Sequence, residues 1–292
     1  MQRKLVKMGS HSLMSVIPSN WCKKNNLKQG DIIQYFELDN KLIITSDKEE
    51  YVRKAEITIS SDNIAITWRN LYPFYTSGYD EVKIYYNNKK TFKLIESHLQ
   101  SLIGFEIVET TEKFILIKSV TKQLESDIKP VLKRVWFIIK QSGYLLEEIF
   151  DKKDKSRFEE IKALELTINK YMMLLRRIIN RTGYKYSHYM YVLINSLELA
   201  PNHFEYIRRY YADNNKQIKS DYALNSKKLN KLISQVYDLQ YNYNIEKFNK
   251  ISLALPHFNM FKSMADDEIK YHFISIAEYL MQVARQIYAM NL

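Results

Sequence analysis

From about Leu124 to Leu292, apolar residues recur at helical spacing with almost nothing to interrupt them. No other feature restricts the fold as strongly. Helix breakers are scarce along the whole chain, with Gly 6 and Pro 5 among 292 residues, which disfavours a loop-rich all-β fold. The pattern predicts helices over 122–150, 154–182, 186–214, 218–250 and 263–291. Breaks are expected at Lys152–Asp154, at Gly183, near Asn214 and Asn215, and around Pro256. Pro201 falls inside the third helix and is expected to kink or split it. Antiparallel helices with short connections make a bundle, here over 122–292.

The first 46 residues read differently. Residues 2–8 and 13–17 are expected to be short strands turned at Gly9 and Ser10. Pro18 opens a short helix, as proline is tolerated in a first turn. Ile32–Leu38 and Lys41–Thr45 are rich in β-branched and aromatic residues, and Asp39-Asn40 between them suits a tight hairpin. Four short strands cannot enclose an adequate core, because so small a unit keeps too much surface. The simplest completion is a second copy of the same module.

Between these regions, 47–121 reads as a small α/β domain. Residues 47–54 are a polar linker, followed by a strand over Ala55–Ser60 and a helix over Asn63–Thr76. A strand over Glu81–Tyr86, a helix over Thr91–Ile103 and strands over Phe105–Thr110 and Lys113–Lys118 complete it. The expected fold is therefore α+β and multidomain, divided into 1–46, 47–121 and 122–292.

The formal net charge is +11, with +4 in residues 1–46, −1 in 47–126 and +8 in 127–292. Basic surfaces concentrate polyanions and speed their capture. A single cysteine, Cys22, leaves no internal disulfide and no Cys-based zinc site. No run of 18 apolar residues appears, and the N-terminal segment is too polar for a signal peptide, so a cytoplasmic protein without membrane insertion is expected. No nucleophile elbow, phosphate-cradling glycine loop or His-Glu-x-x-His motif is present, which argues against an enzyme.

Residues 3–45 carry a specific pattern. A basic strand, Arg3-Lys4-Leu5-Val6-Lys7, is followed by Gly9, Ser12, and an apolar strand ending in Ile17-Pro18. A short helix with Trp21 and then Leu27-Lys28-Gln29-Gly30-Asp31 precede a further apolar strand. This pattern resembles the AbrB/SpoVT/MazE type of DNA-binding domain, which implies a swapped-hairpin dimer. The rest resembles archaeal PhoU-like regulators, through Tyr75-Thr76-Ser77-Gly78-Tyr79-Asp80, through Leu102-Ile103-Gly104-Phe105-Glu106-Ile107-Val108-Glu109, and through a helical tail of matching length. The resemblance implies a PhoU-like all-α bundle at the C-terminus and a role in phosphate uptake and homeostasis.

These readings name candidate residues. Arg3, Lys4, Lys7, Lys23 and Lys24 are expected to contact phosphates, with His11 and Ser12 in the loop nearby. PhoU helices often carry Glu-x-x-x-Asp, two carboxylates one turn apart that share a cation. Here the second position is an amide, in Glu165 with Asn169, Glu198 with Asn202, and Glu278 with Gln282. A divalent or iron-type metal is therefore expected to bind weakly, on Glu165, Glu198 and His203, or not at all. Trp21 and Cys22 are read as packing residues, and Tyr184, Tyr186, Tyr189, Tyr191, Tyr237, Tyr241 and Tyr243 as bundle contacts. Arg176-Arg177 and Arg208-Arg209 are read as solvated faces with phosphate or DNA binding as the alternative.

The expected function is a homodimeric DNA-binding transcriptional regulator of phosphate uptake. The alternative is an interaction adaptor on a phosphate transporter or sensor kinase. An antitoxin-like role ranks third, since the long helical tail has no place in it.

Overall fold

The computed structural model describes residues 2–38, 41–46, 52–120, 127–182, 186–214, 216–219, 221–253, 261, 264 and 267–292. The chain is mixed α+β, with small sheets followed by a helical C-terminal region. It divides into two compact units, Met1–Arg53 and Lys54–Leu292.

In the first unit, β1 (Val6–Met8) pairs antiparallel with β2 (Ser12–Met14), placing Lys7 opposite Leu13. Gly9 turns the hairpin at φ 71°, a conformation that costs glycine nothing. Both strands are shorter than the sequence predicts, with pairing confined to the residues beside the turn. Helix α1 (Ser19–Lys24) follows Pro18 and ends where the Asn25 side-chain amide donates to the Trp21 carbonyl at 2.8 Å. A second antiparallel hairpin joins β3 (Ile33–Leu38) and β4 (Lys41–Ser46), and its Asp39-Asn40 turn lies outside the described residues. Among the side chains described in this unit none is buried.

The second unit opens with a four-stranded sheet in the order β5-β6-β8-β7. Strand β5 (Lys54–Ile59) runs parallel to β6 (Glu81–Tyr86), while β8 (Phe114–Ser119) is antiparallel to both β6 and β7 (Phe105–Thr110). Alternation sets the buried face: Val82 and Ile84 of β6 and Ile115 and Ile117 of β8 are all inaccessible. They pack with Leu71 and Tyr75 of α2 (Ile64–Thr76) and Ile95 of α3 (Lys89–Leu99). Asn63 and Asn88 start these helices by accepting from backbone N–H groups of the first turn.

The helical region holds α4 (Ile128–Lys152), α5 (Phe158–Thr182), α6 (Ser187–Asn214), α7 (Asp221–Tyr241), α8 (Ile245–Leu253) and α9 (Asp267–Ala289). Helix α4 packs on α5 and α7, α5 on α6, α6 on α9, and α9 back on α7, around Trp136, Phe150, Phe204 and Phe273. The expected breaks at Gly183 and Pro256 fall outside the described residues. One expectation is corrected, and of the kink or split expected at Pro201 the split is ruled out. The single helix predicted over 218–250 is two helices, because Asn244 accepts from the Glu246 N–H at 2.7 Å and starts a new one. Pro201 does not split α6, since Leu197, Ala200, Phe204 and Ile207 around it are all buried and their packing offsets the lost hydrogen bond.

The α/β part and the helices belong to one compact unit, and α5 joins them. Arg177 is fully buried and donates to the carbonyls of Tyr75 at 3.1 Å and Tyr79 at 2.6 Å. The Asn180 amide donates to the Thr76 carbonyl at 2.7 Å, and Arg181 donates to the Gly78 carbonyl at 3.0 Å and pairs with Asp80. Carbonyls at and just past the end of α2 thus accept from another helix, with positive charge where the helix dipole favours it. Among the described residues no helix is long and apolar enough to cross a membrane.

Candidate functional site

Arg3, Lys4, Lys7, Lys23 and Lys24 are all exposed in the first unit. Lys7 stands in β1, while Lys23 and Lys24 occupy the last turn of α1, where cations complement the helix dipole. His11 lies in the turn between β1 and β2. Ser12, expected in that loop, is instead the first residue of β2, paired with Met8. Trp21 and Cys22 are half-buried, in keeping with a packing role.

In the second unit, both Glu-x-x-x-Asn pairs converge. Glu165 and Asn169 of α5 and Glu198 and Asn202 of α6 line one cleft of about 510 Å³, walled by Trp68, Arg69 and Tyr72 of α2 and by Met173. The two carboxylates differ in state. Glu198 meets Arg176 in a two-point ion pair, with Arg176 Nη1 donating at 3.1 Å and Nη2 also bonded to Glu198 and to Asn195 Oδ1 at 2.8 Å. Burial works against the charge of Arg176, but the Glu198 carboxylate outweighs it and holds the guanidinium above its ordinary pKa. Glu165 accepts from the Asn169 amide at 2.6 Å. Burial pushes its carboxyl above the usual range, and Glu205 and Glu198 add to that shift.

His203 does not line this cleft. It is buried, and its Nδ1 lies 2.9 Å from Nδ1 of His272 on α9, so one imidazole donates and the other accepts. Tyr206 and Tyr271 meet it edge-on, and Tyr279 lies tilted against it. Burial, with the neighbouring His272, lowers its pKa to about 4. The structure thus unites Glu165 and Glu198 but separates His203 from them, and it places an arginine against the second carboxylate. Among the described residues no three of His, Cys, Asp and Glu form a group able to hold a metal ion. The third pair, Glu278 and Gln282, is exposed on α9, where Gln282 accepts from the Ser196 hydroxyl at 3.1 Å.

Arg176, Arg177 and Arg208 are not on solvated faces, whereas Arg209 is exposed. Arg176 and Arg177 are 8% and 0% exposed. Arg208 grips Glu205 through Nε at 2.7 Å and Nη2 at 2.8 Å and reaches Glu159 at 2.9 Å. Arg209, more exposed, adds a bond to Glu205 at 2.9 Å. Among the tyrosines, Tyr191, Tyr237 and Tyr243 pack on the helical core, while Tyr241 is 38% exposed and Tyr184 lies outside the described residues. Sequence reasoning missed Arg176 as the ion-pair partner of a cleft carboxylate. The signal was present: Glu165, Asn169 and Arg176 stand at i, i+4 and i+11, on one face of α5. Nothing along the chain announced Trp68 and Tyr72, which a different element brings to the cleft.

No protein-family model matches the chain, and no curated protein or solved structure matches it.

Proposed function

We propose that the chain is a homodimeric DNA-binding regulator of phosphate uptake, of the architecture its sequence resembles. One observation carries this reading. Among the side chains described in the first unit none is buried, and Leu5, Met8, Leu13, Val16 and Ile32 are exposed at 62–73% beside the exposed Arg3, Lys4 and Lys7. A soluble module seldom leaves that much apolar side chain bare unless something covers it. A second copy covers it most economically, by interlacing its hairpins with the first. Two copies together also double the density of cations on the shared module, which suits a polyanionic duplex.

Residues 54–292 then serve as the responding region. The cleft of Glu165, Asn169, Glu198 and Asn202 lies where α2 meets α5 and α6, so an occupant there would touch both the α/β part and the bundle. A cation on Glu165 is one candidate signal, with Arg176 already neutralising Glu198.

The test is capture of genomic fragments by the purified chain over a salt series, with light scattering to count copies. Two chains per particle, and retention that declines steeply with salt and vanishes when Arg3, Lys4 and Lys7 all become Ala, are expected. Monomeric chains, or retention unchanged in that variant, overturn the reading. Co-purification of a transporter subunit without DNA replaces it with the adaptor.

A further inference from the structure

Between Asp127 and Glu147, helix α4 carries four basic residues, Lys129, Lys133, Arg134 and Lys140, and no acidic one. On its outer side Lys133, Phe137, Lys140 and Tyr144 fall at i, i+4, i+7 and i+11, so cation and ring alternate along one face. Phe137 and Tyr144 are 57% and 53% exposed. Tyr237 of α7 closes the other side, and the three rings with Lys133, Lys140 and Gln141 line a groove of about 440 Å³. The cations sit beside the rings: Lys140 Nζ is 4.6 Å from the Tyr237 centroid, and Arg134 lies 5.4 Å from that of Phe137. Tyr241 extends the aromatic row, 4.9 Å from Tyr237.

A surface built for water would not hold two large rings half bare on a helix otherwise rich in lysine. We infer that the groove between α4 and α7 binds single-stranded nucleic acid, with bases stacked on Phe137 and Tyr144 and phosphates held by Lys133 and Lys140. The occupant follows from the pattern. A strand offers what the groove repeats, a flat π-face and then an anion, and stacking on aromatic side chains tolerates any base. An acidic peptide supplies the anions without the planes. Gln141, between the two rings, can donate to or accept from a base edge. Duplex DNA keeps its bases stacked on one another and cannot use the rings, so this site is separate from the duplex-binding surface proposed for the first unit.

The experiment uses the full chain and a fluorescent oligothymidylate of about ten nucleotides, followed by anisotropy. Replacing Phe137→Ala and Tyr144→Ala together is expected to weaken binding at least about 10-fold. Phe137→Tyr, which keeps the ring, retains affinity and controls for folding. Lys133→Gln with Lys140→Gln lowers the slope of log affinity against log salt by about 1.4. The variant with Ala at residues 3, 4 and 7 retains oligothymidylate binding, whatever becomes of its affinity for duplex. The inference is overturned if the ring-deletion variant binds as wild type does, if an abasic strand of equal length binds as tightly, or if the residue 3, 4 and 7 variant loses single-strand binding.

Discussion

Arg176 engages both carboxylate oxygens of Glu198, so a fixed guanidinium supplies the positive charge at one of the two glutamates in the α5–α6 cleft. The neighbouring amides, Asn169 and Asn202, contribute no charge. Arg176→Met therefore leaves Glu198 without its ion-pair partner, beside Glu165 in one cleft. The variant should lose about 2 kcal/mol of stability in urea, toward the low end for a broken ion pair because Glu198 keeps 27% of its side chain exposed. It should also gain affinity for Mn²⁺, read by calorimetry, and recover stability as that ion is added. A variant indifferent to Mn²⁺ would show that Glu165 and Glu198 cannot share a cation.

Arg177 is held by backbone carbonyls and by rings, with Tyr75 and Phe105 5.2 and 5.1 Å from its guanidinium. Its Nη1 donates to the Tyr75 and Tyr79 carbonyls while its Nη2 reaches Asp80, a planar spread that a lysine ammonium cannot reproduce. Arg177→Lys should cost about 3 kcal/mol. Amide exchange should rise first in Thr76–Asp80 and in β6, where the clamp is lost, before it rises in α4 and α7. Uniform acceleration across all helices would place the effect in the whole core instead.

These clamps mark the limit of what the sequence made legible. Period-2 alternation in Glu81–Tyr86 and Phe114–Ser119 and helical spacing through α4, α5, α6 and α9 were visible because local burial imposes them. The Glu-x-x-x-Asn pairs were visible for the same reason, since one turn of helix sets their spacing. Arg177 and Asp80 are nearly a hundred positions apart, and two adjacent arginines look alike whether they face water or carbonyls. The break at Asn244 was missed because its signal is a cap, one side chain competing for one N–H, inside a run whose apolar period continues. Trp68 reached the cleft through packing of α2 on α5, which no periodicity encodes.

Gly143 and Asn230 fix how closely α4 and α7 approach. A Cβ on Gly143 would overlap Asn230 Oδ1 and press Ile233 at 3.1 Å. The Asn230 amide meanwhile donates to the Gly143 carbonyl at 3.1 Å and to Glu147 at 2.6 Å. Gly143→Ala should destabilise by about 1–3 kcal/mol despite alanine's better helix propensity. Adding Asn230→Ala should return part of that loss, giving a coupling energy of at least about 0.5 kcal/mol in a double-mutant cycle. Strict additivity would mean that the two helices separate freely.

His203 should make stability depend on pH. Its folded pKa, about 4, lies below the ordinary 6.5, so the neutral form is preferred in the native state. The unfolded chain then binds the extra proton first as pH drops. Stability is complete above about pH 6.5 and declines from there toward about pH 4, by about 3 kcal/mol from this group. His272, also lowered by burial, acts in the same direction, while Glu268 opposes it. Urea midpoints between pH 7.5 and 4.5 should fall more steeply in wild type than in His203→Phe. Parallel curves would exclude the histidine pair as the source.

The first unit offers the sharpest test of assembly. Leu13 faces Lys7 across the β1–β2 hairpin and is 66% exposed, although leucine in a strand gains by burial. If a second copy covers it, Leu13→Asp places a charge inside the contact, where the cost of desolvation exceeds what the exposed Lys7 opposite it returns. The variant should shift to single chains in light scattering and lose duplex binding. Its helical region should melt as in wild type, since 54–292 forms its own compact unit. Leu13→Met, which keeps an apolar side chain of similar volume, should leave assembly intact. If Leu13→Asp stays paired and binds duplex unchanged, the exposed apolar side chains of this module have some other role, and the dimer loses its physical basis.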